Sequence, residues 1–195
     1  MTTPKTVDPN RLLLTGENPF IRLSERAGGP ATTDASFWRI LFSPGGPGHV
    51  LFLQSELTDS EARIYSDNIT MARWLQGEIQ KTISPVFGNL EIPVVEAEFR
   101  KWGDLRSYWT EATDTGEEEI LLTWYELGEP FLMHTLPGSA PQRPHGVCTV
   151  MIPALGARVV INGEQAKGRP FPQEREGRKF STCALAFSES WLLPH

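Results

Sequence analysis

Two predicted strands carry the residues best suited to proton chemistry. Glu98 and Arg100 lie two positions apart, so a β-strand would place both on one face. There a carboxyl group could act as an acid or base, and a guanidinium could orient an anionic group of a ligand. His134 lies in an apolar run, and because histidine titrates near neutral pH it suits proton transfer. We therefore predict Glu98 and His134 as a catalytic pair and Arg100 as a substrate-binding residue. The alternatives are a solvated face for the charges and a core position for His134.

Aromatic residues occur on the same predicted strands as these polar groups. The chain has six tryptophans, and large rings in a β-structure either fill its core or line an apolar cavity that holds a few polar groups. The cavity interpretation predicts substrate-binding walls made of Tyr108, Trp109, Trp124 and Tyr125. Core filling is the alternative for these rings.

Motifs of metal, nucleotide and nucleophile chemistry are missing from the sequence. It contains no His-x-His or His-Glu-x-x-His pattern, no Gly-x-Ser-x-Gly, no Walker A motif and no dinucleotide fingerprint. Cys148 and Cys183 lack CxxC spacing and lie in strand-like runs, which favours buried thiols in a reducing compartment over a disulfide. We expect neither a metal nor a cofactor. Any reaction would then be cofactor-free acid–base catalysis of the lyase, isomerase or hydratase type.

Length and charge restrict the class of protein. A chain of 195 residues is typical of one domain, predicted here over 1–195 with a loosely ordered segment over 1–19. The net charge of −6 argues against sequence-independent binding of nucleic acid. No apolar run approaches the roughly 18–20 residues that span a bilayer, and residues 1–10 are too polar for a secretory signal. We therefore expect a cytoplasmic protein without nucleic-acid or membrane partners.

Short strands are expected to position the candidate residues. The 17 glycines and 16 prolines favour many short elements over a few long helices. Apolar runs at 36–42 and 49–53 flank a Gly/Pro loop and predict a hairpin, and Asn162-Gly163 is typical of a type I′ hairpin turn. Residues 168–179 are charged and contain proline, which predicts an exposed loop. Further strands are predicted at 62–65, 92–100, 106–113, 119–127, 131–136, 147–152, 157–162 and 182–192.

One amphipathic helix is predicted near 68–84. Its apolar stripe recurs at steps of three and four residues and consists of Ile69, Ala72, Leu75, Ile79 and Ile83. Gln76 and Gln80 are assigned to the opposite, polar side. Asp67 or Asn68 can cap the first turn, and Pro85 ends the helix because proline lacks a backbone donor.

Several predicted strands are apolar on both faces. In the segment 120–127, Ile120, Leu122 and Trp124 alternate with Leu121 and Tyr125. A strand on a half-solvated sheet would alternate apolar with polar residues, so both faces are expected to be covered. We predict a mainly β fold, an antiparallel β-barrel of about 8–10 strands, with a two-sheet jelly-roll sandwich as the alternative. The pattern resembles lipocalin-type barrels in shape, but the Gly-x-Trp signature is absent and likeness of shape implies no function.

These patterns favour a protein that binds a small molecule. We expect a small, largely apolar or aromatic ligand in the barrel cavity, transformed by the acid–base pair if the protein is an enzyme. The alternative is a non-enzymatic accessory or interaction protein, a homodimer that uses an apolar sheet face. A flavin-binding split barrel is a third possibility on size and strand content.

Overall fold

The computed structural model describes residues 11–139, 144–175 and 177–194, and most of them lie in β-strands. The mainly β prediction is therefore confirmed. The strands are β1 (Leu12–Glu17), β2 (Phe20–Ser24), β3 (Ala31–Phe42), β4 (Gly48–Ser55), β5 (Ala62–Ser66), β6 (Val94–Glu96), β7 (Glu98–Gly103), β8 (Tyr108–Asp114), β9 (Glu119–Leu127), β10 (Phe131–Thr135), β11 (Gly146–Ile161), β12 (Glu164–Gln165), β13 (Pro172–Arg175), β14 (Arg178–Ser181) and β15 (Cys183–Leu192).

One large mixed sheet contains all of these strands except β13 and β14, which form a separate hairpin. Its main path runs in the order β6-β5-β4-β3-β1-β15-β11-β9-β8-β7. β5 and β6 are parallel, and the other neighbours on this path are antiparallel. β6 and β7 stand at the two ends of the order, yet only Ala97 separates them in the chain. A single residue thus joins the two ends of the sheet.

Both predicted hairpins are present. β3 pairs with β4 across the Gly/Pro loop, with Phe37 opposite Leu51. β11 and β12 are joined by Asn162 and Gly163, whose φ angles of 49° and 82° are the positive values that a type I′ turn requires. Local turn chemistry therefore predicts these two connections correctly.

The predicted helix is confirmed, but its geometry changes halfway. An α-helix, α1 (Ile69–Leu75), continues into a π-helical segment (Gln76–Gln80) and a last turn (Lys81–Ile83). Asn68 caps the start, since its Oδ1 accepts a hydrogen bond from the Met71 amide at 3.1 Å. Pro85 begins the following 3₁₀ turn, Pro85–Gly88. Among the described residues, no helix combines the length and apolar character needed to cross a membrane.

Apolar side chains form two cores, one on each face of the sheet. β3 contributes to both, because its adjacent residues Phe37 and Trp38 point to opposite faces. β9 contributes mainly to one: Trp124 is fully buried, whereas Tyr125 is 37% exposed. The helix-side core, between the sheet and the helical segment, includes Trp38, Phe52, Leu75, Phe87 and Trp191. The second core, on the opposite face, includes Ile21, Phe37, Leu51, Leu122, Trp124 and Leu185.

Strand β1 lies within the stretch 1–19 for which the sequence predicts a loosely ordered segment. It is hydrogen-bonded to β3 on one edge and to β15 on the other. The physical reason is burial, because Leu13 and Leu14 both join the helix-side core. Residues 1–10 lie outside the described part of the chain.

Candidate ligand-binding cleft

A cleft of about 690 Å³ lies on the helix side of the sheet. It is bounded by the π-helical segment, by strands β2, β10, β11 and β15, and by the β13–β14 hairpin. Its volume falls in the range of pockets that take small organic ligands. The hairpin wall was predicted from sequence as an exposed loop. Residues 172–174 and 177–179 are exposed as predicted, but the loop part of the prediction is wrong, because β13 and β14 pair with each other. Phe180, just beyond the predicted loop, is buried against the cleft.

Aromatic rings and methionines form the apolar wall of the cleft. Phe20 and Phe180 lie 6.3 Å apart between ring centroids, and Met133 and Met151 complete this side. On the other side Trp191 packs against Trp38 of the helix-side core, at 6.1 Å between ring centroids. The wall thus combines flat rings with adaptable thioether side chains, which suits an apolar or aromatic ligand.

A buried chain of hydrogen bonds reaches the cleft at Gln80. Asn18 donates from Nδ2 to Ser36 Oγ at 3.1 Å, and Ser36 Oγ donates to Gln80 Oε1 at 3.2 Å. Trp38 Nε1 donates to the same oxygen at 2.9 Å. All four residues are buried, and Asn18, Ser36 and Gln80 line the cleft. Each donor in this chain therefore points towards Gln80.

This network determines which end of the Gln80 amide faces the cleft. An indole N–H can only donate, so the atom that meets Trp38 Nε1 must be the amide oxygen. The amide nitrogen, Nε2, is therefore the other end. It is buried and has no hydrogen-bond partner in the described structure. A buried donor left unsatisfied costs about 1–3 kcal/mol, so a hydrogen-bond acceptor placed against Gln80 Nε2 would be stabilising.

Two carboxyl groups also line the cleft. Burial raises the pKa of Asp34, and the charge of Arg22 and a hydrogen bond from Ser84 Oγ at 3.5 Å only partly offset that rise. Glu189 is buried, and its Oε1 accepts a hydrogen bond from Trp191 Nε1 at 2.6 Å. Acids in an apolar cleft are candidates for binding a donor group or for proton transfer.

A β-bulge places Glu189 and Trp191 on the cleft side of β15. Ala184 and Ala186 pack in the helix-side core, so strict alternation would turn the odd-numbered residues to the opposite face. Ser188 adopts a φ of 52°, and the register between β11 and β15 shifts at this point. The extra residue reverses the alternation, which is the usual effect of a bulge beside a binding site.

A second polar cluster, built from side chains of β1, β3, β4 and β8 and from Asp67, lies beside a groove of about 720 Å³. Arg39 donates from Nη2 to both carboxylate oxygens of Glu111 at 3.0 and 2.9 Å, and from Nη1 to Glu17. Its Nε donates to His49 Nε2 at 3.2 Å, so His49 Nδ1 carries the proton that is shared with Asp67 Oδ2 at 2.6 Å. Arg39 thus directs all three of its nitrogens to side chains of the protein. We interpret this cluster as structural.

The predicted catalytic pair is not assembled in the structure. Glu98 and Arg100 lie exposed on β7, and Arg100 Nη2 pairs with Asp114 Oδ2 at 2.9 Å. His134 lies exposed on β10, next to Met133, which faces the cleft. The described residues contain no hydrogen bond or ion pair between Glu98 and His134. Alternation along both strands turns these side chains to solvent.

The four predicted aromatic wall residues are split between the two faces of the sheet. In the β8–β9 register Trp109 lies opposite Trp124 and Tyr108 lies opposite Tyr125. Trp124 is a core residue whose Nε1 donates to the Phe20 carbonyl oxygen at 2.9 Å, and Trp109 Nε1 donates to Glu111 Oε1 at 2.8 Å. Both tyrosines are exposed. None of the four lines the cleft.

Sequence reasoning missed Gln80 because it assumed an unbroken α-helix. It assigned Gln76 and Gln80 to the polar side, yet both are fully buried. The π-helical segment adds a residue to the turn and so shifts the phase of the helix. Two uncharged amides spaced by four residues in an apolar helix, with Gly77 between them, were the available signal. Gln76 is used internally, since its Nε2 donates to the carbonyl oxygens of Phe87 and Asn89.

Comparison of the chain with protein-family models, with curated proteins and with solved structures finds no match. In the described part of the chain, no group of three or more His, Cys, Asp and Glu side chains is arranged to hold a metal ion.

Proposed function

We propose that this protein binds a small, largely apolar or aromatic molecule in the cleft, with a hydrogen-bond acceptor of the ligand facing Gln80 Nε2. The observation that carries the proposal is the buried, oriented and unsatisfied amide nitrogen of Gln80. A pocket with apolar walls and a few fixed polar groups is the usual form of a small-molecule site.

The polar network favours binding of a carbonyl-type acceptor. Ser36 and Trp38 hold the amide oxygen of Gln80, so its nitrogen is aimed before a ligand arrives. The protein has already removed this N–H from water, and a ligand acceptor would regain the missing hydrogen bond. A hydrocarbon of the same shape would leave the donor unsatisfied. Selectivity for carbonyl over hydrocarbon follows from that difference.

We also propose that the sheet closes into a barrel and that the ligand binds outside it. Support comes from the single residue between β6 and β7, and from contacts between strands that are far apart in the sheet order. Phe37 on β3 meets Phe99 on β7 at 5.7 Å between ring centroids, and Arg39 on β3 bonds Glu111 on β8. The second core would then be the barrel interior, filled by apolar side chains. In this arrangement the ligand cleft lies between the outer face of the barrel and the helix.

The binding proposal can be tested with two molecules of one shape, 2-indanone and indane. We expect both to change the tryptophan fluorescence of the protein, because Trp191 lines the cleft. The ketone is expected to bind about 5- to 10-fold more tightly, the equivalent of one net hydrogen bond. Gln80→Met should abolish this preference and leave the affinity for indane, whereas Gln165→Met, at an exposed site on β12, should preserve it.

A second variant guards against loss of folding. Gln80→Met removes the acceptor of Trp38 and Ser36, whereas Gln80→Glu keeps an acceptor there and, in its ionised form, has no donor. We expect Gln80→Glu to fold and to lose the preference for the ketone when its carboxyl group is ionised. Equal affinities of 2-indanone and indane for the unaltered protein, or an unchanged preference in both Gln80 variants, would contradict the proposal.

A second candidate function is self-association through the edge of β10. Within the described chain β10 has one partner strand, β11, and it contains no charged residue or proline. Natural sheet edges usually carry such residues to prevent pairing. Leu132 on β10 and Leu136 just after it are each 62% exposed. Light scattering over a range of protein concentrations tests for a homodimer. Leu132→Lys should dissociate the dimer, whereas the control Leu41→Lys should not. An unaltered protein that is monomeric at every concentration would refute self-association.

A further inference from the structure

We propose that Asp34 exchanges protons with a carbonyl ligand held by Gln80, so that the cleft catalyses enolisation or double-bond isomerisation of a small apolar ketone. This inference rests on the proposed binding function and adds a reaction to it. It replaces the pair of Glu98 and His134 by two residues that the fold does place in one cleft.

Strand β3 brings Asp34 next to the Gln80 network. Asp34, Ser36 and Trp38 occupy every second position of β3, so they share the face that lies towards the helix. Two residues of a strand span about 6.6 Å. Asp34 therefore stands one step beyond Ser36, which donates to Gln80 Oε1.

Ser84, just after the end of the helix, also connects Asp34 with Gln80. Ser84 Oγ lies 3.5 Å from Asp34 Oδ2, and the Ser84 backbone N–H donates to the Gln80 carbonyl oxygen at 2.9 Å. Asp34 is thus linked to Gln80 along β3 through Ser36 and at the helix end through Ser84, and both side chains line the same cleft. A ketone whose oxygen accepts from Gln80 Nε2 can then present its α-carbon to Asp34.

The surroundings of Asp34 suit a general base. Burial is the largest influence on its pKa and raises it, because removal from water disfavours the charged carboxylate. A desolvated carboxylate is a stronger base than one in water. Arg22 lies opposite Asp34 in the β2–β3 register, and its charge partly restores the ionised form. The net effect is a raised pKa for the Asp34 carboxyl group.

The reaction is a proton transfer that balances without a co-reactant. Asp34 takes a proton from the carbon next to the ligand carbonyl, and the C–H electron pair becomes the double bond of an enolate. The negative charge that develops on the carbonyl oxygen accepts a hydrogen bond from Gln80 Nε2. In a β,γ-unsaturated ketone, Asp34 then delivers the proton to the γ-carbon, which is isomerisation. Alternatively, the carboxyl proton of Asp34 is first replaced by one from water, and this solvent proton is delivered to the original α-carbon, which is exchange with solvent.

Exchange of the α-protons of 2-indanone in D₂O, followed by proton NMR, tests this reaction. We expect the protein to accelerate exchange above the rate in buffer, and Asp34→Asn to reduce the acceleration by about 100-fold, the typical contribution of a general base. The same variant is expected to bind 2-indanone with an affinity within about threefold of the unaltered protein. Asp34→Glu should recover part of the exchange rate. Asp114→Asn, a matched change in the surface pair with Arg100, should leave it unchanged.

Failure of the reaction and failure of binding give different results. Fluorescence binding of 2-indanone without accelerated exchange would overturn the proton-transfer inference and leave the binding proposal standing. Full exchange activity in a folded Asp34→Asn variant would also overturn it. Absence of 2-indanone binding would overturn both.

Discussion

Replacement of Arg39 by methionine tests the polar cluster that Arg39 forms with Glu111, Glu17 and His49. The side chain of Arg39 is 12% exposed and that of Glu111 is 1% exposed, and two hydrogen bonds of 3.0 and 2.9 Å join them. Methionine keeps the apolar stem of the side chain and removes only the guanidinium. Arg39→Met therefore leaves a buried carboxyl group without its counter-charge.

The structure sets the expected loss of stability. Removing one partner of a buried ion pair costs about 3–5 kcal/mol, and we expect the lower part of that range because Arg39 is partly exposed. Burial already raises the pKa of Glu111, and loss of the Arg39 charge, which lowers it, raises it further. Since the folded state then binds a proton more readily than the unfolded state, its stability falls as pH rises. The loss caused by Arg39→Met is therefore expected to be larger at pH 7.5 than at pH 4.5.

Urea unfolding at both pH values measures this effect. The matched control is Arg100→Met, which breaks an ion pair with Asp114 whose side chains are 57% and 34% exposed, and it should cost less than about 1 kcal/mol. Combining Arg39→Met with Glu111→Gln should restore much of the stability, because the fully buried charge of Glu111 is removed and only the partly exposed Glu17 still lacks its partner. A loss in Arg39→Met no greater than in Arg100→Met would refute the structural interpretation of the cluster.

Two further predictions concern titratable groups. Because burial raises the pKa of Asp34, its carboxylate destabilises the folded protein increasingly as pH rises through that pKa. Urea unfolding should therefore show that Asp34→Asn is more stable than the unaltered protein at pH 7.5. The difference should be smaller at pH 4. Burial also raises the pKa of the Cys183 thiol to about 12, whereas Cys148 is half-buried. A thiol reagent at pH 8 should therefore modify Cys148 in the folded protein, and should modify Cys183 only after unfolding. Equal reaction rates of the two thiols before unfolding would contradict this.

Much of the fold could be predicted because it depends on neighbouring residues. The Gly/Pro loop between two apolar runs gives the β3–β4 hairpin, and Asn162-Gly163 gives the turn after β11. Asn68 caps the start of the helix by accepting a hydrogen bond from a backbone N–H of the first turn. Pro85 follows the end of the helix, because proline has no backbone N–H to donate. Such signals act over a few residues, so they can be read without knowing the tertiary structure.

The candidate site could not be predicted in the same way, because facing directions depend on distant contacts. The alternation around Glu98 fits a solvated face as well as a buried one, and the packing of the second core against Phe99 decides between them. The four residues of the polar network, at positions 18, 36, 38 and 80, come from a loop, a strand and a helix that only the folded chain brings together.

The sequence by itself determined that this chain would fold into short strands with one amphipathic helix, since apolar periodicity and turn residues act locally. Tertiary packing decided which faces are buried and where a ligand could bind. Two irregularities made the difference: the π-helical segment turned Gln80 inward, and the bulge at Ser188 turned Glu189 and Trp191 to the same side. The π-helical segment and the bulge each insert one residue into a regular element and so change which side chains face the cleft. A prediction from regular helix or strand periodicity does not include such an insertion.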